Sequence, residues 1–508
     1  MYYDYSSVNL IFSQGGLTAS LGAMKAVYKI FVLFAFLLAA CQQEVPDAPL
    51  AAPVLVSADP ADGAEGLTGE TLTVTLTFNQ AVKCPTTEHS KVTIDGGAKV
   101  DRISNNLKDL YIEVSGLVSG ESYNLVLPKG CVQGMGENQL PAEEIRLSFS
   151  MKYIEPYVPS VLNPAKTLTN PNASKEAQNV YAFLCEQSGK KTLSGAQSSH
   201  SYTNDFVDFI AQQTGHHPAL AGYDFLFLHY SPTPEGWSWV RDYNDISAAK
   251  EQWAANGLVN YMWHWNVPSS EQAWKSEDQG SYAFYSDQTS FDIVEALKPG
   301  TWQNEFIMQD IEEVAGYLQL LEDENIPVIW RPLHEAAGNY DIYGGNGAWF
   351  WWGRGGAEPC KQLWKLLYDQ LVGVYGLDNL IWVWTVDVPV GAEDKWADWY
   401  PGDKYVDIVG VDIYASDTDA KTRQYQALVD LTKGGKLVTI SECGNIPDPD
   451  KCMEAGNKWS WFMVWCTSDS DGNLSLNIPD WSLNTLSHWN HVLGSEYVIN
   501  REDMPSLK

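Results

Sequence analysis

The stretch VIWRPLHEAAGNY, Val328 to Tyr340, carries β-branched and aromatic residues straight into an adjacent histidine and glutamate. Its first half reads as a buried strand, a short apolar run rich in Val, Ile and Trp. Its second half either caps that strand or is aimed by it at something. The surroundings bear on the choice. Eight runs of this texture can be counted: TLSGAQ (192–197), PALAGYDF (218–225), GLVNYMWHW (257–265), PVIWRPLHE (327–335), LIWVWTVD (380–387), DIVGVDIY (407–414), LVTISECG (437–444) and WFMVWC (461–466). Helix-forming stretches separate them, such as KQLWKLLYDQLVGVYG, closed by Gly376 just before the fifth run. Strand–helix alternation predicts an α/β fold with a parallel sheet. Eight repeats predict a (β/α)8 TIM barrel. A doubly wound open sheet is the alternative, and no GxGxxG follows an early strand to favour it.

In such a barrel the C-terminal strand ends converge on one face, and that face holds the chemistry. The runs end in polar and aromatic residues: His264 and Trp265, His334 and Glu335, Asp387, Asp412 and Tyr414, Glu442, and Trp465. Glu335 and Glu442 are the sharpest pair. Hydrolysis of a glycosidic bond needs two flanking carboxyls, one to protonate the leaving oxygen and one to attack or to activate water. Tips of the fourth and seventh strands face each other across a barrel mouth. The competing reading is a pair of solvated strand-end carboxylates. HEAAG is not a zinc-protease motif, because Gly338 stands where HExxH needs its second histidine. No CxxC occurs, and nothing in the sequence calls for a metal or a cofactor.

The chain has 508 residues and a formal net charge of −32, which argues against nucleic acid as a partner. A neutral glycan is compatible with that charge. The 21 Trp exceed what a core of this size needs and suggest stacking platforms, with plain packing as the rival reading. Residues 24–40 read as a secretory signal, Lys25 and Lys29 preceding IFVLFAFLLAA, which makes residues 1–23 a mis-called extension upstream of the true start at Met24. Residues 41–53 read as a tether. Residues 54–151 have all-β texture, with TLTVTLTF (71–78) alternating strictly and further strands expected at 91–94, 110–114, 123–127 and 145–149. Residues 152–175, with four prolines, read as a second linker before a 176–508 catalytic domain.

Three resemblances attach to these segments. LAAC (Leu38 to Cys41) resembles a bacterial lipobox, which implies lipidation of Cys41 and, with no Asp after it, an outer-membrane lipoprotein of a Gram-negative bacterium, on the cell surface or facing the periplasm. DPADGAEGLTGETLTVTLTFNQAV (59–82) resembles bacterial immunoglobulin-like spacer modules. WRPLHEAAG followed by AWFWWG (348–353), with MWHWN, GVDIY and ISECG in order, resembles glycoside hydrolase family 26 over roughly residues 175–505.

That family's best-known members are endo-β-1,4-mannanases, and others are β-glucanases and β-1,3-xylanases. Carried over, the resemblance implies Glu335 as acid/base and Glu442 as nucleophile. His334 would sit beside the acid, Arg331 would hold the nucleophile as a carboxylate, and Tyr414 would bond near it. Trp349 would shape the reactive-sugar site, Trp465 would floor it, and His264 and Asp412 would be supporting polar contacts. Trp265, with Trp263, Trp351 and Trp352, is a candidate cleft aromatic, with barrel packing as the rival reading. The carboxyls should stand about 5–5.5 Å apart, the retaining spacing. The expected enzyme is a monomeric retaining endo-β-1,4-mannanase acting on mannan, galactomannan or glucomannan. Another β-glycanase of the family and a non-catalytic glycan-binding protein are the alternatives. One departure stands out: NYDIYGGNG (339–347) separates the His-Glu pair from Trp349, where many members have only a few residues.

Overall fold

The computed structural model describes residues 51–508, apart from 137–138, 155–157, 199–202, 230–242, 277–280, 341–346, 388–392, 470–472 and 478–482. The lipobox, the signal and Cys41 therefore lie outside the described residues, as does most of the 339–347 insertion. The chain divides into two units, residues 1–157 and 158–508.

In the first unit two four-stranded sheets pack face to face. One orders Leu55–Asp59, Thr71–Phe78, Asp109–Ser115 and Lys99–Asn106; the other orders Ala64–Leu67, Ile145–Met151, Ser122–Leu127 and Thr93–Ile94. The alternation seen in TLTVTLTF is realised. Val74, Leu76 and Phe78 are buried beside Leu110, Ile112 and Val114, and Tyr123, Leu125, Leu127, Leu147 and Phe149 belong to the same core. Three strands carried no clear period in the sequence: 55–59, 64–67 and 99–106. Exposed and less exposed residues do not alternate cleanly along them, and Gly66 interrupts one of them.

In the second unit eight strands pair in parallel around a closed barrel: β1 (Thr192–Gln197), β2 (Leu220–Asp224), β3 (Leu258–Met262), β4 (Val328–Arg331), β5 (Leu380–Asp387), β6 (Ile408–Ile413), β7 (Leu437–Cys443) and β8 (Trp461–Val464). β1 bonds to both β2 and β8, which closes the ring and rules out the open sheet. Nearly every strand residue is buried, as expected when helices cover the outside and side chains fill the inside. The helix Trp302–Asp323 shows the outer layer's logic. Thr301 caps it by accepting from the Asn304 N–H, and Phe306, Ile307, Ile311, Val314, Leu318 and Leu321 recur at helical spacing on its buried face. Among the described residues eleven tryptophans are fully buried, so packing accounts for much of the surplus.

Three strands end two or more residues before their sequence suggests: β3, β4 and β8, the last at Val464 instead of Cys466. β4 stops at Arg331 because Pro332 has no N–H to give a ladder, and Leu333 and Glu335 then take left-handed backbone, φ +49° and +50°. β3 stops at Met262, so His264 and Trp265 lie beyond it. The second half of the expected linker is anchored to this unit. Asn163 and Ala165 donate to the carbonyls of Gly434 and Gly435, and Leu162 and Leu168 are buried in the barrel's core.

Candidate active site

At the C-terminal mouth, Asp387, Asp412 and Glu442 stand level on β5, β6 and β7. The level is not that of a regular ladder. Val411 pairs with Ile440, but the next β6 residue, Asp412, pairs with Glu442 and not with Ser441. One extra residue in β7 makes a bulge, a device that re-aims side chains at strand ends. Gly410 makes room for it: a Cβ there would lie 1.9 Å from Ser441 Oγ. Ser441 Oγ accepts in turn from Thr385 Oγ1 at 3.1 Å.

Arg331, buried at the end of β4, forks between two of these carboxylates. Its Nη1 donates to Asp412 Oδ2 at 3.0 Å and its Nη2 to Glu442 Oε1. Tyr414 Oη donates to Glu442 Oε2 at 2.6 Å. Both oxygens of Glu442 thus accept from fixed donors, a geometry suited to a carboxylate and not to an acid. Burial and the neighbouring Glu442 carboxylate push the Tyr414 hydroxyl well above its ordinary range, so it remains a donor.

Glu335 leaves β4 through the left-handed turn. Its N–H reaches the Thr385 carbonyl at 3.2 Å, and its own carbonyl accepts from Gly338 at 2.9 Å. Burial first, then the charges of Asp412, Glu442 and Asp387, raise its carboxyl well above the usual range; Arg331 opposes them and does not prevail. One carboxylate held by donors and one carboxyl favoured as the acid form the pair that glycoside hydrolysis needs. Oxygens of Glu335, Asp412 and Glu442 all lie within 4.8 Å of one another. That trio could in principle hold a cation, but Arg331 already supplies the positive charge between two of its members.

Trp349 lines the same cleft of about 780 Å³ with Glu335, Asp387, Asp412 and Tyr414. The two motif glycines explain how it gets there. Its indole lies on Gly338, where a Cβ would stand 2.1 Å from Nε1, and the Trp349 backbone N–H donates to the Gly338 carbonyl at 3.2 Å. At Gly353 a Cβ would sit 1.8 Å from the Ala336 carbonyl oxygen. The intervening 339–347 segment therefore leaves Trp349 at the cleft wall.

His264 is clamped by Asp224, which accepts from its backbone N–H at 2.9 Å and contacts Nδ1 at 2.5 Å. The His264 ring meets His334 edge-on, centroids 4.5 Å apart, and Trp465 at 6.0 Å. Burial, with the charge of Arg331 and the neighbouring His264, holds His334 neutral, its pKa well below the ordinary value. Asp224 was missed as a site residue. The signal was present, since it ends the second strand as the other site residues end theirs.

Trp265 is a correction. It is fully buried, stacks on Trp263 with centroids 3.9 Å apart, and donates from Nε1 to Asp310 Oδ2 at 2.6 Å on the outer helix Trp302–Asp323. It serves packing and not the cleft. Trp263, Trp351 and Trp352 are buried likewise, Trp351 donating to the Trp265 carbonyl and Trp352 to that of His334.

Residues 50–151 match the bacterial Ig-like domain, in agreement with the sandwich. A mannan endo-1,4-beta-mannosidase of Thermothelomyces thermophilus is 35% identical over 67% of this chain and 63% of its own length. Mannan endo-1,4-beta-mannosidase A of a Piromyces species is 35% identical over 69% and 52%. The chain thus spans between about half and just under two thirds of the length of these curated relatives. Among solved structures, the β-mannanase of a symbiotic protist of the termite Reticulitermes speratus, complexed with gluco-manno-oligosaccharide, is 34% identical with TM-score 0.57, over 68% of this chain and 99% of that one. The family 26 domain of an endo-β-mannanase/endo-β-glucanase from Prevotella bryantii is 34% identical with TM-score 0.58, over 67% and 99%. The family model for glycosyl hydrolase family 26 matches residues 169–503, the barrel and its approach, and the chain belongs to that family.

Proposed function

We propose that this chain is a retaining endo-β-1,4-mannanase acting on mannan, galactomannan or glucomannan. The observation that carries the reading is the Glu335–Glu442 pair at the mouth of the barrel, with oxygens within 4.8 Å. An inverting pair stands about 6.5–9.5 Å apart to admit a water. In the first step Glu335 gives its proton to the glycosidic oxygen while Glu442 attacks the anomeric carbon. In the second, Glu335, now a carboxylate, takes a proton from water as it displaces Glu442. Arg331 and Tyr414 donate to both oxygens of Glu442 and orient it for attack, and Trp349 lines the cleft.

The substrate reading draws on the relatives, which are named as mannan endo-1,4-beta-mannosidases. The Prevotella relative also carries endo-β-glucanase in its name, so mixed-linkage β-glucan belongs in the same assay. Product sizing on galactomannan, β-glucan and β-1,3-xylan should give short oligosaccharides from the first. Binding without new reducing ends on every β-glycan would sink the proposal. Glu335→Ala and Glu442→Ala should each lower turnover on mannan by about a hundredfold or more. We further propose that Cys41 is lipidated and tethers the enzyme to the outer membrane as a monomer. Cys41→Ser should move the protein from the membrane fraction to the soluble one.

A further inference from the structure

Asp412 has a feature that its bond to Arg331 does not explain. Its side chain is fully buried and Oδ2 accepts from Arg331, yet no N–H or O–H of the described residues reaches the buried Oδ1. A carboxylate oxygen out of water with no donor is costly. What does come near Asp412 is a second carboxyl, an oxygen of Glu335 lying within 4.8 Å of one of its own. Two acceptors can bond only if one of them carries a proton.

We propose that Glu335 and Asp412 share one proton, with the Glu335 O–H donating to Asp412 Oδ1. Asp412 is then the positioning residue that keeps the acid loaded and aimed. The balance is simple. The shared proton leaves to the glycosidic oxygen, the bond to Asp412 is lost, and two carboxylates are left facing each other. Their repulsion makes Glu335 the stronger base for taking the proton of the attacking water, which restores the shared state. Asp412 also accepts from the guanidinium that holds Glu442, so one residue touches both halves of the mechanism. The groups facing Glu335 are Arg331 from its own strand, Asp387, Asp412, Tyr414 and Glu442 from the next three, His334 beside it, and Tyr285 from the loop after β3. Among the carboxylates Asp412 raises Glu335 most, ahead of Glu442 and Asp387.

This inference deepens the proposed function and rests on it for its role in turnover, but the shared proton can be read without turnover. In the full-length protein with carboxyl-labelled glutamate, the resonance absent from Glu335→Gln should titrate lower by about one pH unit or more in Asp412→Asn. The alkaline limb of the kcat/KM profile on mannan should fall by a similar amount. Asp387→Asn removes a carboxylate level with Asp412 and should move both readings less. An equal shift in Asp387→Asn, or an activity loss in Asp412→Asn uniform across pH with an unmoved resonance, would overturn the proposal. If Asp412→Asn does not fold, the wild type decides. A far-downfield proton of a carboxyl–carboxylate bond, lost in Glu335→Gln, supports the sharing, and its absence refutes it. Failure to hydrolyse any β-glycan would defeat the proposed function and leave the titration to judge the proton.

Discussion

Gly338→Ala tests how the cleft is built without touching any group that reacts. Gly338 needs no special backbone angle; its need is space, because a Cβ there would stand 2.1 Å from Nε1 and Cε2 of Trp349. Ordinary carbon contact begins near about 3.5 Å, so the indole must withdraw by about 1.4 Å. Trp349 cannot withdraw freely. Its carbonyl accepts from Ser286, its N–H is bonded to Gly338, and it packs against Phe350. A displacement of about 1 Å in a positioning group costs on the order of a hundredfold in rate, and overpacking costs about 1–3 kcal/mol of stability. We therefore expect kcat/KM on mannan oligosaccharides to fall by roughly a hundredfold in Gly338→Ala while the fold persists by circular dichroism. The decisive measurement is a double-mutant cycle. Trp349→Ala alone removes the indole and lowers activity, but once it is gone the added methyl has nothing to displace. Gly338→Ala should then cost less than about threefold on top of Trp349→Ala. Additive losses, or a Gly338→Ala enzyme within threefold of wild type, would refute the steric account.

Gly410→Ala should disturb the β7 bulge, since the new methyl would meet Ser441 Oγ at 1.9 Å; a loss of about a hundredfold in kcat/KM, partly recovered by Ser441→Gly in the same chain, would show that the bulge aims Glu442. Tyr414→Phe removes the 2.6 Å bond to Glu442 Oε2. A hydrogen bond to a charged group contributes about 1.5–3 kcal/mol, so kcat/KM should fall by roughly 10- to 150-fold, and a loss under threefold would remove Tyr414 from the mechanism. Remote from the mouth, Glu322 lies against Asp378, and burial with that neighbour lifts its carboxyl from 4.5 to about 7. Between those values the folded protein holds a proton that the unfolded chain has lost, so unfolding free energy falls as pH rises through the window. Denaturant midpoints should show that fall reduced in Glu322→Gln, and an unchanged slope would refute the pairing.

The residues differ in how openly the sequence declared them, and the difference is physical. β1 and β5 could be read end to end, β5 because burial on both faces leaves a nearly unbroken apolar run. β3 and β4 read too long because their tips carry aromatic and β-compatible residues past the last ladder bond. Nothing in the residue types Leu333 and Glu335 announces a left-handed backbone, since neither is the Gly or Asn that favours it. Trp265 misled for a related reason. It adjoins His264 in sequence, but its partner is Asp310, on a helix 45 residues further along, and chain proximity cannot report that.

Glu442, the proposed nucleophile, makes the point most sharply. A regular β7 would set Ser441 level with Asp412, and because strand side chains alternate faces, Glu442 would then point out toward the helices. Only the extra residue, tolerated because position 410 is glycine, turns Glu442 inward to meet Arg331 and Tyr414. ISECG therefore pointed to the proposed nucleophile by resemblance, while the physical reason Glu442 faces the cleft lies on the neighbouring strand, in a glycine that alternation alone would have passed over.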